Sequence, residues 1–117
     1  MAELENELTV LRQIHKEIQK MNDKMGQGIS QVGENELVVS ELEHLEEDAK
    51  VFKLIGPVLV QQDLVEVKAN VTTRIDFIKK DVARTEKVID GLQNRAEEQR
   101  QKYLALKQAA TGGAVKD

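Results

Sequence analysis

Residues 51–62 read VFKLIGPVLVQQ, and this stretch decides the fold. Four of its residues are β-branched, and Phe52 adds to the preference for extended backbone. Two apolar runs on either side of Gly56-Pro57 predict a short β-hairpin. Gly-Pro is not the usual Asn-Gly signal of a two-residue turn, so the sequence leaves the turn type open. With Lys50 these residues form a predicted elbow, residues 50–62.

Both flanking segments have the heptad spacing of a coiled coil. In the first arm, residues 2–48, apolar residues recur at every seventh position, most with a second one three or four residues later: Leu4, Leu11, Ile18, Met25, Val32 and Val39, with Leu8, Ile14, Met21, Ile29 and Leu42. In the second arm, residues 63–110, a seam alternates spacings of four and three: Val71, Ile75, Ile78, Val82, Thr85, Ile89, Leu92, Ala96, Gln99, Tyr103, Leu106 and Ala110. Spacing sustained over so many heptads predicts two long helices packed along one seam.

The two arms are nearly equal in length, which indicates that the chain folds back on itself at the elbow. The first arm holds twelve acidic and four basic residues, and the second holds eight acidic and ten basic residues. This imbalance favours an antiparallel pairing of the arms. Asp63, three residues before Glu66, resembles a helix-capping box at the start of the second arm. The predicted fold is mainly α: an antiparallel two-helix coiled-coil hairpin with a central β-hairpin, one domain over residues 1–110, and a disordered tail over 111–117.

Three glycines interrupt the first arm. Gly26, Gly28 and Gly33 each cost about 1 kcal/mol relative to alanine inside a helix. Either the helix tolerates them with local fraying, which we favour, or they form a bend that lets the arm flex.

Composition argues against most kinds of chemistry. The chain has no cysteine, and Gly26-Gln27-Gly28 lacks the lysine and the hydroxyl residue of a phosphate-binding loop. His44 lies among glutamates, but a solvated acidic helix face explains it better than a metal site. A net charge of −4 argues against general nucleic-acid binding. We therefore expect no enzyme, no cofactor and no metal. Because the sequence has no apolar run of membrane-spanning length and begins with acidic residues, we also expect no membrane anchor and a cytoplasmic location.

The elbow separates two hypotheses for function. It is apolar on both faces of its predicted strands, and an isolated two-stranded hairpin is marginal in water. Either it assembles with strands of other chains, which we favour, or it tucks against its own helices. A structural or tethering coiled-coil adaptor is the main alternative function, although a tether needs no apolar β segment at its midpoint.

The stretch from Val51 to Leu64 resembles the central signature of beta-class prefoldin subunits, and the blocks Glu34–Val38 and Arg74–Ile78 are also similar to that family. The resemblance implies a subunit of a six-chain, ATP-independent co-chaperone. Such a complex holds unfolded clients such as actin and tubulin and passes them to the cytosolic group II chaperonin. Its subunits combine their elbow hairpins into a β-barrel platform.

The resemblance also assigns two sets of residues. Assembly residues would be Val51, Phe52, Leu54, Ile55, Val58, Leu59 and Val60. Client-binding residues would lie at the arm ends: Leu4, Leu8, Leu11, Tyr103, Leu104 and Leu106. For Leu4, Leu11 and Leu106, simple closure of the seam is at least as good an explanation. Leu104 lies off the seam register, so its exposure is easier to defend.

Overall fold

The computed structural model describes residues 2–115, with side-chain surroundings for residues 2–111. Helix α1 spans Ala2–Glu43, strand β1 Val51–Ile55, strand β2 Val58–Gln62 and helix α2 Leu64–Val115. The predicted fold class is confirmed: two long helices with a two-stranded antiparallel sheet between them in the chain.

Helix α1 ends earlier than predicted. The prediction that it reaches Asp48 is wrong, because residues 44–50 form turns instead. The backbone N–H of His44 donates to the carbonyl of Glu41, three residues earlier, at 3.2 Å. A bond of this spacing closes a tighter turn than that of an α-helix. The last turn of α1 contains no basic residue, and the next residues are largely acidic. Negative charge at a helix C-terminus opposes the helix dipole, which accounts for the early end.

Helix α2 begins as predicted and ends later. The Asp63 carboxylate accepts a hydrogen bond from the backbone N–H of Val65 at 3.1 Å, as a helix N-cap does. At the other end, α2 continues to Val115, so the predicted boundary at Ala110 is wrong. The Thr111 hydroxyl donates to the Lys107 carbonyl at 3.0 Å, which is compatible with a further helical turn. Residues 111–115 of the predicted disordered tail are therefore helical, and residues 116 and 117 lie outside the described residues.

The helices pack in two compact units. The terminal unit contains residues 2–25 with 84–115, and the central unit contains residues 26–83. In both units nearly all predicted seam residues are buried or half-buried. Ile29, which is 56% exposed, and Ala110, which is also exposed, are the exceptions.

Polar side chains complete the seam of the terminal unit. Leu11, Ile14 and Ala96 form a buried cluster. Beside this apolar packing, the Gln99 amide donates to the Glu7 carbonyl oxygen at 3.0 Å and also to the Glu7 carboxylate. The Lys102 ammonium lies 3.2 Å from the same carboxylate. These two donors hold the pKa of Glu7 below its ordinary value. Gln99, an exception to the apolar pattern, thus makes a specific cross-helix contact that favours one register.

A second acidic group of the terminal unit is stabilised within α2. The Arg100 guanidinium donates two hydrogen bonds to the Glu97 carboxylate, at 2.8 and 3.0 Å, and Gln101 donates a third. Together they lower the pKa of Glu97 to about 2. All three side chains are exposed, so this group contributes little to folding.

A glycine holds a seam position in the central unit. A Cβ atom on Gly28 would lie 2.7 Å from Cγ2 of Val82, whereas Gly26 and Gly33 face open space. Helix α1 is continuous through all three glycines. The prediction that Ile29 lies in the seam is therefore wrong, because Gly28 takes the heptad position and turns Ile29 outward. Lys79 and Glu36 lie 3.3 Å apart across the helices, in the predicted antiparallel sense.

The sheet is a tight antiparallel hairpin. Val51 pairs with Gln62, Leu54 with Leu59 and Ile55 with Val58. Gly56 has φ +58°, a value that residues with a Cβ rarely adopt, and Pro57 fixes a negative φ next to it. A glycine with positive φ followed by a residue with negative φ has the signs of a type II′ turn, which matches the twist of hairpin strands.

The glycines allow a matched test of the close packing at position 28. We expect Gly33→Ala to raise the free energy of unfolding by about 0.5–1 kcal/mol, because alanine favours helix. Gly28→Ala should lower the free energy of unfolding, because the new Cβ requires Val82, which is stiff at χ1, to move. Urea unfolding followed by circular dichroism measures both. Gly26→Ala serves as the control and should behave like Gly33→Ala. An equal gain at position 28 would contradict the packing.

Candidate protein-binding site

The hairpin presents apolar side chains on both of its faces. Residues paired across the two strands share a face, and successive residues along a strand alternate. Leu54 therefore lies beside Leu59 on one face, together with Phe52. Ile55 lies beside Val58 on the other face, where Val60 is paired with Lys53. A hairpin that packed one face on its own helices would be expected to carry polar residues on the other.

Most of these apolar side chains are exposed. Among the exposed apolar side chains of the hairpin, the exposed fraction ranges from 38% for Val60 to 66% for Leu54. Of the seven predicted assembly residues, only Val51 is half-buried, and the other six are exposed: Phe52, Leu54, Ile55, Val58, Leu59 and Val60. Contiguous exposed apolar surface of this kind usually marks a site of protein association.

The backbone of the hairpin is also incompletely bonded. The sheet has two strands, so each strand has one neighbour and one free edge. A free edge presents N–H and C=O groups that can pair with a strand of another chain. The hairpin thus offers hydrogen bonds at its edges and apolar side chains on its faces, which is the chemistry of β-strand addition.

The predicted client-binding residues divide by burial. Leu11 is 8% exposed and belongs to the buried cluster of the terminal unit. Leu104, by contrast, is exposed on α2, as its position off the seam register indicated. The remaining four are half-buried: Leu4, Leu8, Tyr103 and Leu106. All six lie within the terminal unit.

Sequence reasoning missed one exposed aromatic residue. Phe77 is 65% exposed on α2, between the seam residues Ile75 and Ile78. The sequence did indicate this exposure, because a large apolar residue that lies off the heptad seam of a coiled coil cannot reach the core. In the sequence, Phe77 belongs to the Arg74–Ile78 block that is similar to the family.

The described residues show neither a group of metal ligands nor a membrane-spanning helix. The His44 ring nitrogen Nδ1, just after the end of α1, donates to the Ser40 carbonyl in its last turn at 2.6 Å. In residues 2–115 no three histidine, cysteine or carboxylate side chains come together as metal ligands would. Over the same range, neither helix has a stretch both long and apolar enough to span a bilayer. The hairpin and the exposed apolar side chains remain as the candidate site.

Comparisons with known proteins agree on one family. A family profile described as "Prefoldin subunit" matches residues 5–110. Prefoldin subunit 6 of Arabidopsis thaliana is 42% identical over 106 residues, which cover 91% of this chain and 82% of that protein. Prefoldin subunit 6 of Homo sapiens is 35% identical over 105 residues, which cover 90% of this chain and 81% of that protein.

A solved structure shares the fold. The crystal structure of the prefoldin beta subunit from Thermococcus strain KS-1 superposes with a TM-score of 0.79. The match covers 94% of this chain and 93% of that one at 18% identity, so it shows the fold alone. The profile match over nearly the whole chain and the relatives at 35–42% identity lead to one conclusion: the chain belongs to the prefoldin subunit family.

Proposed function

We propose that this chain is one subunit of a heterohexameric, ATP-independent co-chaperone. Its hairpin joins those of other alpha- and beta-class prefoldin subunits. The complex holds unfolded clients such as actin and tubulin and delivers them to the cytosolic group II chaperonin. In this proposal the chain works in the cytoplasm by binding, without catalysis and without a cofactor. Membership of the prefoldin subunit family supports the proposal.

The hairpin is the observation that carries the assembly part. Six exposed apolar side chains on two faces, with a free edge on each strand, favour burial by other chains. Each apolar side chain that moves from water into an interface contributes about 1.5–3 kcal/mol when it is fully buried. A tethering adaptor would need only the two helices and gains nothing from such a hairpin.

Client contact is proposed for the terminal unit. Leu104 is exposed, and Leu4, Leu8, Tyr103 and Leu106 each keep part of their apolar surface accessible. Unfolded proteins expose apolar segments without a fixed shape, and such accessible side chains can hold them without demanding one sequence. Leu11 would take part only if the buried cluster opened, so Leu104 is the leading candidate.

The assembly claim can be tested with a variant that removes one apolar face but keeps the hairpin. We expect Leu54→Glu with Leu59→Lys to abolish incorporation into the complex. The two positions are paired across the strands, so the opposite charges support the hairpin while the apolar face is lost. Native mass spectrometry of the reconstituted complex measures incorporation, and circular dichroism checks that the helices persist.

The matched control makes the same exchange away from the hairpin. Val10 and Val88 are exposed and line one shallow groove of the terminal unit. Val10→Lys with Val88→Glu should leave incorporation unchanged. Normal incorporation of the Leu54–Leu59 variant would contradict assembly through this face.

The client claim can be tested on α2 with the assembled complex. We expect Leu104→Ser to weaken retention of denatured actin by about 1 kcal/mol, roughly fivefold, because an accessible apolar contact is lost. Val88→Ser, which changes another exposed apolar residue of the same helix, is the control and should leave retention unchanged. Suppression of actin aggregation by light scattering measures both. If Leu104→Ser behaves like the control, the client contact lies elsewhere.

A further inference from the structure

A cavity of about 300 Å³ lies in the central unit, beside the hairpin. Helix α1 contributes Val38 and Leu42, strand β1 contributes Val51 and Phe52, and helix α2 contributes Val67 and Val71. Polar groups, among them Lys53 and Arg74, also line it. We call it the hairpin groove. It is an apolar pocket of side-chain size that carries positive charge.

One aromatic side chain lines the groove, and a second lies about one helical turn beyond the lining residue Arg74. Phe52 lines it directly and is 50% exposed. Phe77 lies three residues after Arg74 on α2, so it is the next neighbour along the same side of the helix. These are the only phenylalanines of the chain, and neither is used in the core. Exposed aromatic residues beside an apolar pocket are the usual anchors of a protein interface.

The positive charges of the groove have no partner within the described part of the chain. Arg74 and Lys53 make no ion pair or hydrogen bond from their side chains to residues 2–111. Some basic residues of α2 pair with carboxylates, Lys79 with Glu36 and Lys102 with Glu7, whereas others, such as Lys80 and Lys87, also make no ion pair within the described residues. Arg74 and Lys53 differ from these in lining an apolar groove. An occupant that carries a carboxylate would complement this site.

Strand β1 connects the groove to the proposed assembly surface. Val51, Phe52 and Lys53 line the groove and also belong to β1. Because β1 pairs with β2 on one side only, a strand from another chain can add to its free edge. Residues of the other chain that come directly before or after its added strand would then lie next to the groove.

We propose that the hairpin groove is the docking site for a neighbouring subunit, which inserts an apolar side chain and pairs an adjacent carboxylate with Arg74. Phe52 and Phe77 cover the inserted side chain, and Lys53 supplies a second positive charge. This inference rests on the proposed assembly through the hairpin and adds where, beyond the strands, the neighbour is held.

The test uses the complete chain reconstituted with the other subunits. We expect Arg74→Glu and Phe77→Ala each to weaken incorporation by about tenfold or more, as loss of an interface anchor does. The controls are Lys87→Glu and Val88→Ala, which alter an exposed charge and an exposed apolar side chain of α2 in the terminal unit. A titration followed by native mass spectrometry gives the fold-change, and the two controls should match the unaltered chain.

A photo-crosslinker identifies the occupant. With Phe77→benzoylphenylalanine in the assembled complex, irradiation should link this chain to another subunit, at a peptide where an apolar residue adjoins Asp or Glu. Linkage to a bound client instead of a subunit would overturn the proposed partner. Normal incorporation of Arg74→Glu and Phe77→Ala, while the Leu54–Leu59 variant fails, would overturn the groove alone. Normal incorporation of all three would overturn the assembly proposal itself.

Discussion

The two-stranded sheet has apolar side chains on both faces and two free edges. The chain that contains it can neither bury both faces nor supply hydrogen bonds to both edges. Leu54 and Leu59 cover one another on one face, and Ile55 and Val58 do so on the other, yet all four remain largely exposed. The Gly56 turn fixes the register of the strands, and the register decides which side chains share each face. This exposed apolar surface connects the fold of the chain with its proposed function as a subunit of a complex.

The coiled coil, by contrast, buries its own apolar seam between its two helices. Its seam buries Leu11, Ile14 and Ala96 in the terminal unit and Val71 and Ile75 in the central unit. Specific contacts set the pairing: Gln99 and Lys102 on Glu7 in one unit, and Gly28 against Val82 in the other. Because two helices enclose only a narrow seam, side chains off its register remain available. Leu104 and Phe77 are two of these, one proposed for clients and the other for a neighbouring subunit.

Regular periodicity made most of this fold predictable. The heptads, the hairpin around Gly56-Pro57 and the Asp63 cap could all be read from residue spacing. The C-terminal ends of the helices could not be predicted, because they depend on local balances such as the uncompensated acidic charge after Glu43. The sequence also could not show that Gly28, and not Ile29, occupies the seam. At that position the two helices lie too close for a side chain, and a pattern of apolar residues does not reveal such a close approach. The hairpin groove likewise needed structure, because three separate elements build it.

Hydrogen exchange of the hairpin amides tests the central claim most directly, because it reports the free strand edges themselves. In the isolated chain, outward-facing N–H groups of residues 51–62 should exchange rapidly, since they have no partner strand. In the reconstituted complex the same amides should slow by about 100-fold or more, as added strands take up their hydrogen bonds. Equal exchange rates in the isolated chain and in the complex would contradict assembly through the hairpin.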